Sequence, residues 1–310
     1  MTFSIVMSTY NGTEFLVEMM DSIRLQTRKA DEVLIFDDCS KDDTVDIVAA
    51  YIKKYELKAW KIERNATNKG WKRNFMDGLW KAEGDIILPC DQDDIWMNNK
   101  LEDIERVFLD YPEIGLLTTN CIAFFDNGSE SIRPEKEDGI IKQQMPHMDF
   151  FEVKYPGCTY AVRKEIVQLS KMYWEEDFPH DAILWRMAVY LGSAYSYNKS
   201  LIRWRKHSTS TYTVESVKSK TYAAKRKWLD YAERALLSIL RFTEEQNVKD
   251  KEAKQRIIKT NMDAIKLRKA YYDKPSIIKA VRLVKYLKQY PRKRQLLGDW
   301  YLVSFKRNPN

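Results

Sequence analysis

The chain is poor in the residues that support soft-metal and disulfide chemistry. Its four cysteines, Cys39, Cys90, Cys121 and Cys158, lie far apart with no Cys-x-x-Cys pair. That spacing argues against a zinc site and a disulfide framework, and for a reducing compartment. Histidine is scarcer still, with only His147, His180 and His207. No apolar run approaches the length of a membrane span. The N-terminus enters a strand-like run, Phe3 to Met7, without a charged leader, so a cytoplasmic location is expected. A Gly-x-Gly-x-x-Gly turn after the first strand is also missing, which leaves a dinucleotide site without support. Internal repeats and low-complexity segments are absent.

What is present is a core and a divided charge. Of the 310 residues, 44% are hydrophobic and 13% aromatic, enough for one large domain with an appendage or for two small ones. The net charge of +7 hides an asymmetry. Residues 215–310 carry 25 Lys+Arg against 10 Asp+Glu, a balance of +15, and residues 1–214 carry 27 against 35, a balance of −8. A basic back behind an acidic front points to an anionic partner for the back. Nucleic acid is disfavoured, because that reading leaves the acidic front unexplained.

Residues 3–125 alternate strand-like runs (3–8, 33–36, 60–63, 85–88 and 115–119) with helix-like ones (14–25, 44–55, 71–80 and 99–109). This rhythm predicts an α/β domain with a doubly wound, mostly parallel sheet. Ser40 and Asp43 stand where they can cap the helix from Thr44. Residues 126–150 read as a charged surface excursion, followed by helices near 163–172 and 181–190. From Val217 onward the pattern is helical and basic, so the expected division is a catalytic domain over 1–214 and a helical region over 215–310. Ile277, Ala280, Val281, Leu283, Val284 and Leu287 fall on one arc of an expected helix over 277–287, a face suited to a membrane surface or to a second copy of the chain.

The segment Cys90-Asp91-Gln92-Asp93-Asp94-Ile95-Trp96 follows the apolar run 85–89. Three carboxylates that close raise one another's proton affinity or bind a cation. Oxygen ligands select Mg2+ or Mn2+ over zinc, and such ions commonly carry phosphates. A solvated acidic turn is the default for a lone Asp-x-Asp. Here, however, other polar groups fall at the carboxyl ends of strands too: Thr9, Tyr10 and Asn11 after the first, Asp37 and Asp38 after the second. Ligands of open α/β sheets bind at that edge.

The ordered motifs S-T-Y-N-G, E-V-L-I-F-D-D-C-S-K-D-D-T, N-K-G-x-x-R-N at 68–74, G-D-I-I-L-P-C-D-Q-D-D-I-W, P-G-C-T at 156–159 and P-H-D-A-I-L-W at 179–185 resemble the family 2 inverting glycosyltransferases of GT-A fold over residues 3–210. The D-Q-D-D-I-W form resembles bacterial rhamnosyltransferase-like members. The resemblance implies transfer of a sugar, from dTDP-rhamnose first with a UDP-hexose as the alternative, to a glycan or lipid-linked acceptor in surface polysaccharide synthesis. A protein acceptor is the alternative.

It also implies roles. Thr9 and Tyr10 border the nucleobase, Asn11 joins them in the donor nucleotide site, Asp38 reads a pyrimidine N–H, Arg73 faces base or diphosphate, and Asp91 holds ribose or sugar. Asp93 and His207 are assigned to the metal, Mn2+ or Mg2+. Gly157, Cys158 and His180 line the acceptor cleft, and Asp181 is the general base. One departure is Cys39, where the family commonly has glycine, a residue that permits positive φ. A haloacid dehalogenase phosphatase would place its Asp-x-Asp near the N-terminus. A sugar nucleotidyltransferase would carry basic residues in the loop 9–14, which has none.

Overall fold

The computed structural model describes residues 1–125, 129–132, 137–207 and 221–306, with only the backbone of 130–132. The chain forms two compact units, residues 1–144 with 154–206, and residues 145–153 with 207–310. The expected boundary at 214/215 lies outside the described residues.

In the first unit β1 (Phe3–Thr9), β2 (Glu32–Asp37), β3 (Trp60–Arg64) and β4 (Ile86–Cys90) alternate with α1 (Leu16–Arg24), α2 (Thr44–Lys54) and α3 (Trp71–Lys81). Then come β5 (Ile95–Trp96), α4 (Lys100–Asp110), β6 (Leu116–Phe125), β7 (Glu130–Ile132), β8 (Ile141–Gln143), β9 (Tyr160–Arg163), α5 (Lys164–Leu169), α6 (His180–Leu191) and β10 (Ala194–Lys206). The sheet order is β3-β2-β1-β4-β9-β6-β10-β5, with β7 on β6 and β8 on β10. The expected α/β class holds, with a mostly parallel central sheet. β3, β2, β1 and β4 run parallel, as do β6 and β10, and the short β9 lies antiparallel between the two groups. β1 buries Phe3, Ile5, Val6 and Met7, the continuous apolar run of a strand covered on both faces. β5, β9 and β10 escaped the sequence pattern, being short or interrupted by polar residues.

Helix α2 corrects one expectation. Asp42, not Asp43 or Ser40, holds its start: Asp42 Oδ1 accepts from the Thr44 amide at 3.2 Å and the Thr44 hydroxyl at 2.5 Å. Ser40 is occupied elsewhere, donating to Asp37 and accepting from the Asn11 amide.

The second unit contains α7 (Tyr222–Glu245), α8 (Lys251–Asp273), α9 (Ile277–Leu283) and α10 (Arg294–Phe305). Arg226–Asp273, Lys269–Asp230 and Lys269–Glu233 cross-link α7 and α8. The segment 145–153 lies against them. Asn261 donates to the Met148 carbonyl at 2.9 Å and accepts from the Phe150 amide at 3.3 Å, while Phe151 meets Trp228 edge-on. The single helix expected over 277–287 is not formed. α9 ends at Leu283 and tightens into 3-10 turns over Val284–Gln289, with Tyr286 off helical angles. Leu283 is buried, while Ile277, Val281 and Val284 of the expected arc stand exposed.

Asp299 in α10 is fully buried against Arg268 in α8, at 2.9 Å (Nε to Oδ2) and 3.3 Å (Nη2 to Oδ1). The hydroxyls of Tyr272 and Tyr290 donate to the same carboxylate at 2.8 and 3.0 Å. Removing the acid strands a buried guanidinium, a loss of about 3–5 kcal/mol, whereas replacing both charges by apolar groups is often neutral. Asp299→Ala is therefore expected to lower the urea midpoint of the second unit sharply, and Arg268→Met with Asp299→Leu to recover only part of it, because the Tyr272 and Tyr290 hydroxyls lose their acceptor. Equal midpoints for Asp299→Ala and the native chain would refute this account.

Candidate active site

At the carboxyl edge of the sheet, side chains lace the loops after β1, β2 and β4 together. The Tyr10 amide donates to Gln92 Oε1 at 2.9 Å, and Gln92 Nε2 donates back to the Tyr10 carbonyl at 3.2 Å. Asn11 takes φ 47°, its amide donating to Ser40 and its Oδ1 accepting from the Lys41 amide, both at 2.9 Å. Buried Asp37 accepts from the Ser40 amide at 2.8 Å and the Thr9 hydroxyl at 3.2 Å. Backbone thus fixed, the Tyr10 ring stands exposed. Cys39 adopts φ 64°, so the turn keeps the left-handed conformation despite the side chain.

Asp38 is buried and has work beyond the role implied by resemblance. Its Oδ1 accepts from the Lys69 amide at 2.8 Å and from Asn65 at 3.0 Å, and its Oδ2 from the Gly70 amide at 2.8 Å. These bonds pin the loop that starts α3. From α3, Asn74 donates to Ser8 and to the Phe36 carbonyl at 2.7 and 2.8 Å. Arg73 binds Asp77 at 2.8 Å and lies over the rings of Trp80 and Trp174.

The acidic turn is the electrostatic centre. Single ligand atoms from Asp91, Asp94 and Cys158 lie within 4.8 Å of one another. Asp94 is fully buried. Its Oδ1 accepts from the Arg205 amide at 3.0 Å, and its Oδ2 has no hydrogen-bond partner among the described residues. Burial first, then the Asp93 charge, pushes the Asp94 carboxyl up to about 7. Burial, Asp94, Asp93 and Asp181 push Asp91 well above the carboxylate range. Arg205 also clamps the turn through its side chain, with Nε donating to the Asp93 carbonyl at 2.8 Å. Asp93 and His207 contribute no donor atom to the converging trio. His207 follows β10 directly and belongs to the second unit.

Beneath the trio lies Lys100, fully buried, donating to the Cys158 carbonyl at 3.1 Å with Nζ 3.9 Å from the centre of the Trp96 ring. Burial pulls its ammonium down to about 8. Opposite, the turn 157–159 meets the start of α6. A Cβ on Gly157 would come 2.6 Å from His180 Nε2 and 2.9 Å from Asp181 Cβ, so only glycine fits. His180 stacks on Phe75 at 4.2 Å, with both ring nitrogens buried and unpartnered among the described residues. Burial holds its proton affinity down. Asp181, half-buried in the first turn of α6, accepts from the Ala182 amide at 2.7 Å.

Asp94, Lys100 and Arg205 were not among the candidates read from sequence. Asp94 had a signal there, as the third acid of the run. Lys100 and Arg205 had none, since α4 and β10 look ordinary at those positions. The two carboxylates fit a hard divalent ion, because Asp94 Oδ2 is an orphaned buried acceptor and the nearby Lys100 leaves the proton affinity of the pair high.

These features define an α/β domain with converging carboxylates at the carboxyl edge of its sheet, and the sequence comparison gives the family. The chain belongs to glycosyl transferase family 2, whose profile matches residues 4–168. TarS of Staphylococcus aureus, a poly(ribitol-phosphate) beta-N-acetylglucosaminyltransferase, is 36% identical over 172 residues, 55% of this chain and 26% of that protein. The dTDP-rhamnosyl transferase RfbG of Shigella flexneri is 27% identical over 169 residues, 53% of this chain and 56% of that protein. The chain thus spans only part of these relatives. A crystal structure of TarS residues 1–349 with UDP-GlcNAc superposes with TM-score 0.63 at 19% identity, covering 97% of this chain and 87% of that one. A Pyrobaculum calidifontis mannosyltransferase bound to GDP-mannose and Mn2+ superposes with TM-score 0.54 at 14% identity, covering 99% and 88%. At these identities the superpositions establish the shared fold.

The raised carboxyls give a pH test. In the folded chain without cation Asp94 holds its proton to about 7, against 3.8 ordinarily, so the folded state binds more protons between those values. Its contribution to stability is full below about 4 and is lost as pH rises through about 7. The melting temperature without metal is expected to fall from pH 5 to pH 8, and Mn2+ to raise it more at pH 8 than at pH 5. A Mn2+ shift independent of pH would contradict the assignment.

Proposed function

We propose that the chain transfers a sugar from a nucleoside-diphosphate donor to a hydroxyl of a glycan or lipid-linked acceptor, in one displacement with inversion, in the assembly of surface polysaccharide. The observation that carries this reading is that the Asp91 carboxylate, which converges with Asp94 and Cys158, also feels the charge of Asp181, which lies against Gly157 beside Cys158. On this reading the carboxylate pair would serve the diphosphate and Asp181 would serve as the base. The Tyr10 ring offers a stacking face for the base. Asp38 has one of its roughly four acceptor directions left after its three bonds, enough for a pyrimidine N–H. Asp91 and Asp94 would hold Mn2+ or Mg2+, with Asp93 and His207 as further ligands by resemblance. When bound, the ion supplies positive charge to the departing diphosphate.

The chain's own residues do the rest. The acceptor oxygen attacks the anomeric carbon, the bond to the diphosphate breaks, and its electron pair leaves on the diphosphate oxygen. Asp181 takes the acceptor proton as that bond forms. Gly157 and Cys158 bring backbone close to the acceptor. His180, kept neutral by burial, packs behind Asp181 without competing for the proton. Asp181→Asn is expected to cut nucleoside-diphosphate release at least about a hundredfold while donor affinity stays native, as for loss of a general base. Collapse of donor affinity in that variant would make Asp181 a donor ligand instead.

For the donor we favour UDP-N-acetylglucosamine or another UDP-hexose, because the 36% identical relative is an N-acetylglucosaminyltransferase. The dTDP-rhamnosyl relative and the D-Q-D-D-I-W form support dTDP-rhamnose as the second reading. Ligands that bind the native state raise its melting temperature. In a panel of nucleotide sugars with Mn2+, the UDP-sugar is expected to give the largest rise, and a rise confined to dTDP-rhamnose would reverse the choice.

A further inference from the structure

Among the described residues no helix is long and apolar enough to cross a membrane. The second unit nevertheless presents an unusual face. Between Lys274 and Lys306 the sequence holds nine basic residues and one acid, Asp299, which is buried and consumed by Arg268. Arg282, Lys285, Lys288, Arg292, Lys293 and Arg294 all stand exposed. Beside this charge runs an apolar ridge on α9 and the turn after it. Ile277, Ile278, Val281 and Val284 are 84%, 67%, 62% and 43% exposed, spaced to share one side of the helix. Leu283 buries the opposite side, and Lys279 Nζ binds the Ala270 and Lys274 carbonyls at the end of α8. With α9 anchored in this way, the ridge is held outward.

Next to the ridge, between α8 and α9 with its following turn, is a cavity of about 540 Å³ lined by Asp263, Lys266, Leu267, Val281, Arg282, Lys285 and Tyr286. Three cations face one carboxylate across a wall that is otherwise apolar or aromatic. A soluble polyanion matches the cations but gives no reason for four outward aliphatic side chains. A second copy of the chain, docked through the same face about a two-fold axis, would bring two surfaces of net positive charge together. An anionic bilayer matches both halves, with phosphates at the level of the cations and acyl chains beyond them.

We propose that this face docks the chain on an anionic lipid bilayer, with Ile277, Ile278, Val281 and Val284 entering the acyl boundary and Lys266, Arg282 and Lys285 holding a headgroup phosphate in the cavity. The inference is independent of sugar transfer, because association is read without donor or acceptor. In flotation at low salt, the full chain is expected to rise with vesicles of phosphatidylcholine and phosphatidylglycerol in equal parts. Pure phosphatidylcholine should recover at least about tenfold less, as should the mixed vesicles at high salt, where surface charge is screened. Ile278→Asp with Val281→Asp, and separately Arg282→Glu with Lys285→Glu, should each abolish flotation with an unchanged melting temperature. These residues are exposed, so the fold should be retained. No flotation at low salt would overturn the proposal, as would native flotation of the Ile278/Val281 variant, which would mean diffuse charge adsorption alone. A dimer in sedimentation velocity that the Ile278/Val281 variant abolishes, without vesicle binding, would assign the ridge to a second copy. Equal binding of soluble polyphosphate by the native chain and the Ile278/Val281 variant, without flotation, would assign the charge to a polyanion.

Discussion

Two carboxylates that converge, Asp94 buried and Asp91 half-buried, lose hydration and repel each other, and their surroundings are built against that penalty. Lys100 places a positive charge beneath them where no water reaches. Arg205 holds the turn twice, through its amide to Asp94 and its guanidinium to the Asp93 carbonyl. Neither residue neutralises the pair, whose proton affinity stays high. The pair therefore keeps a charge that an added cation would offset.

The rest of the edge serves to hold that centre still. The loops after β1, β2 and β4 are cross-linked mainly by side-chain-to-backbone bonds, Gln92 to Tyr10, Ser40 to Asn11 and Asp38 to the Lys69 and Gly70 amides. Much of what a motif reader takes for ligand-binding residues is thus also scaffold. Asp38 supports α3 whether or not it reads a base, and Asn74 ties α3 to both Ser8 and β2. Preorganisation of this kind lets a site act without reorganising at the moment of reaction.

Legibility in the sequence followed contact range. The β1–β4 block was readable because each strand is a short apolar run and each helix carries its own periodicity. The clustering of polar residues at strand ends was readable because topology alone carries them to one edge. Arg205 and Asp94 meet across 111 residues and Lys100 and Cys158 across 58, so no local pattern records them. The Arg268–Asp299 pair was hidden for the same reason, two charges in helices that read as solvated. The 277–287 periodicity was real, but it revealed neither the break after Leu283 nor that Ile277, Val281 and Val284 of the arc stand exposed.

The second unit is assembled from two stretches separated by more than fifty residues of the first, 145–153 and 207–310. Phe150, Phe151 and Met148 find Asn261 and Trp228 only after the C-terminal helices exist. During synthesis on the ribosome the inner stretch emerges before its partners, Phe150 preceding Asn261 by 111 residues. A fragment cut after Lys206 would carry those residues permanently without their partners, so the N-terminal part cannot be excised cleanly at the point where its last strand ends. Excision would have to remove or redesign 145–153 as well, joining β8 directly to the stretch that leads into β9.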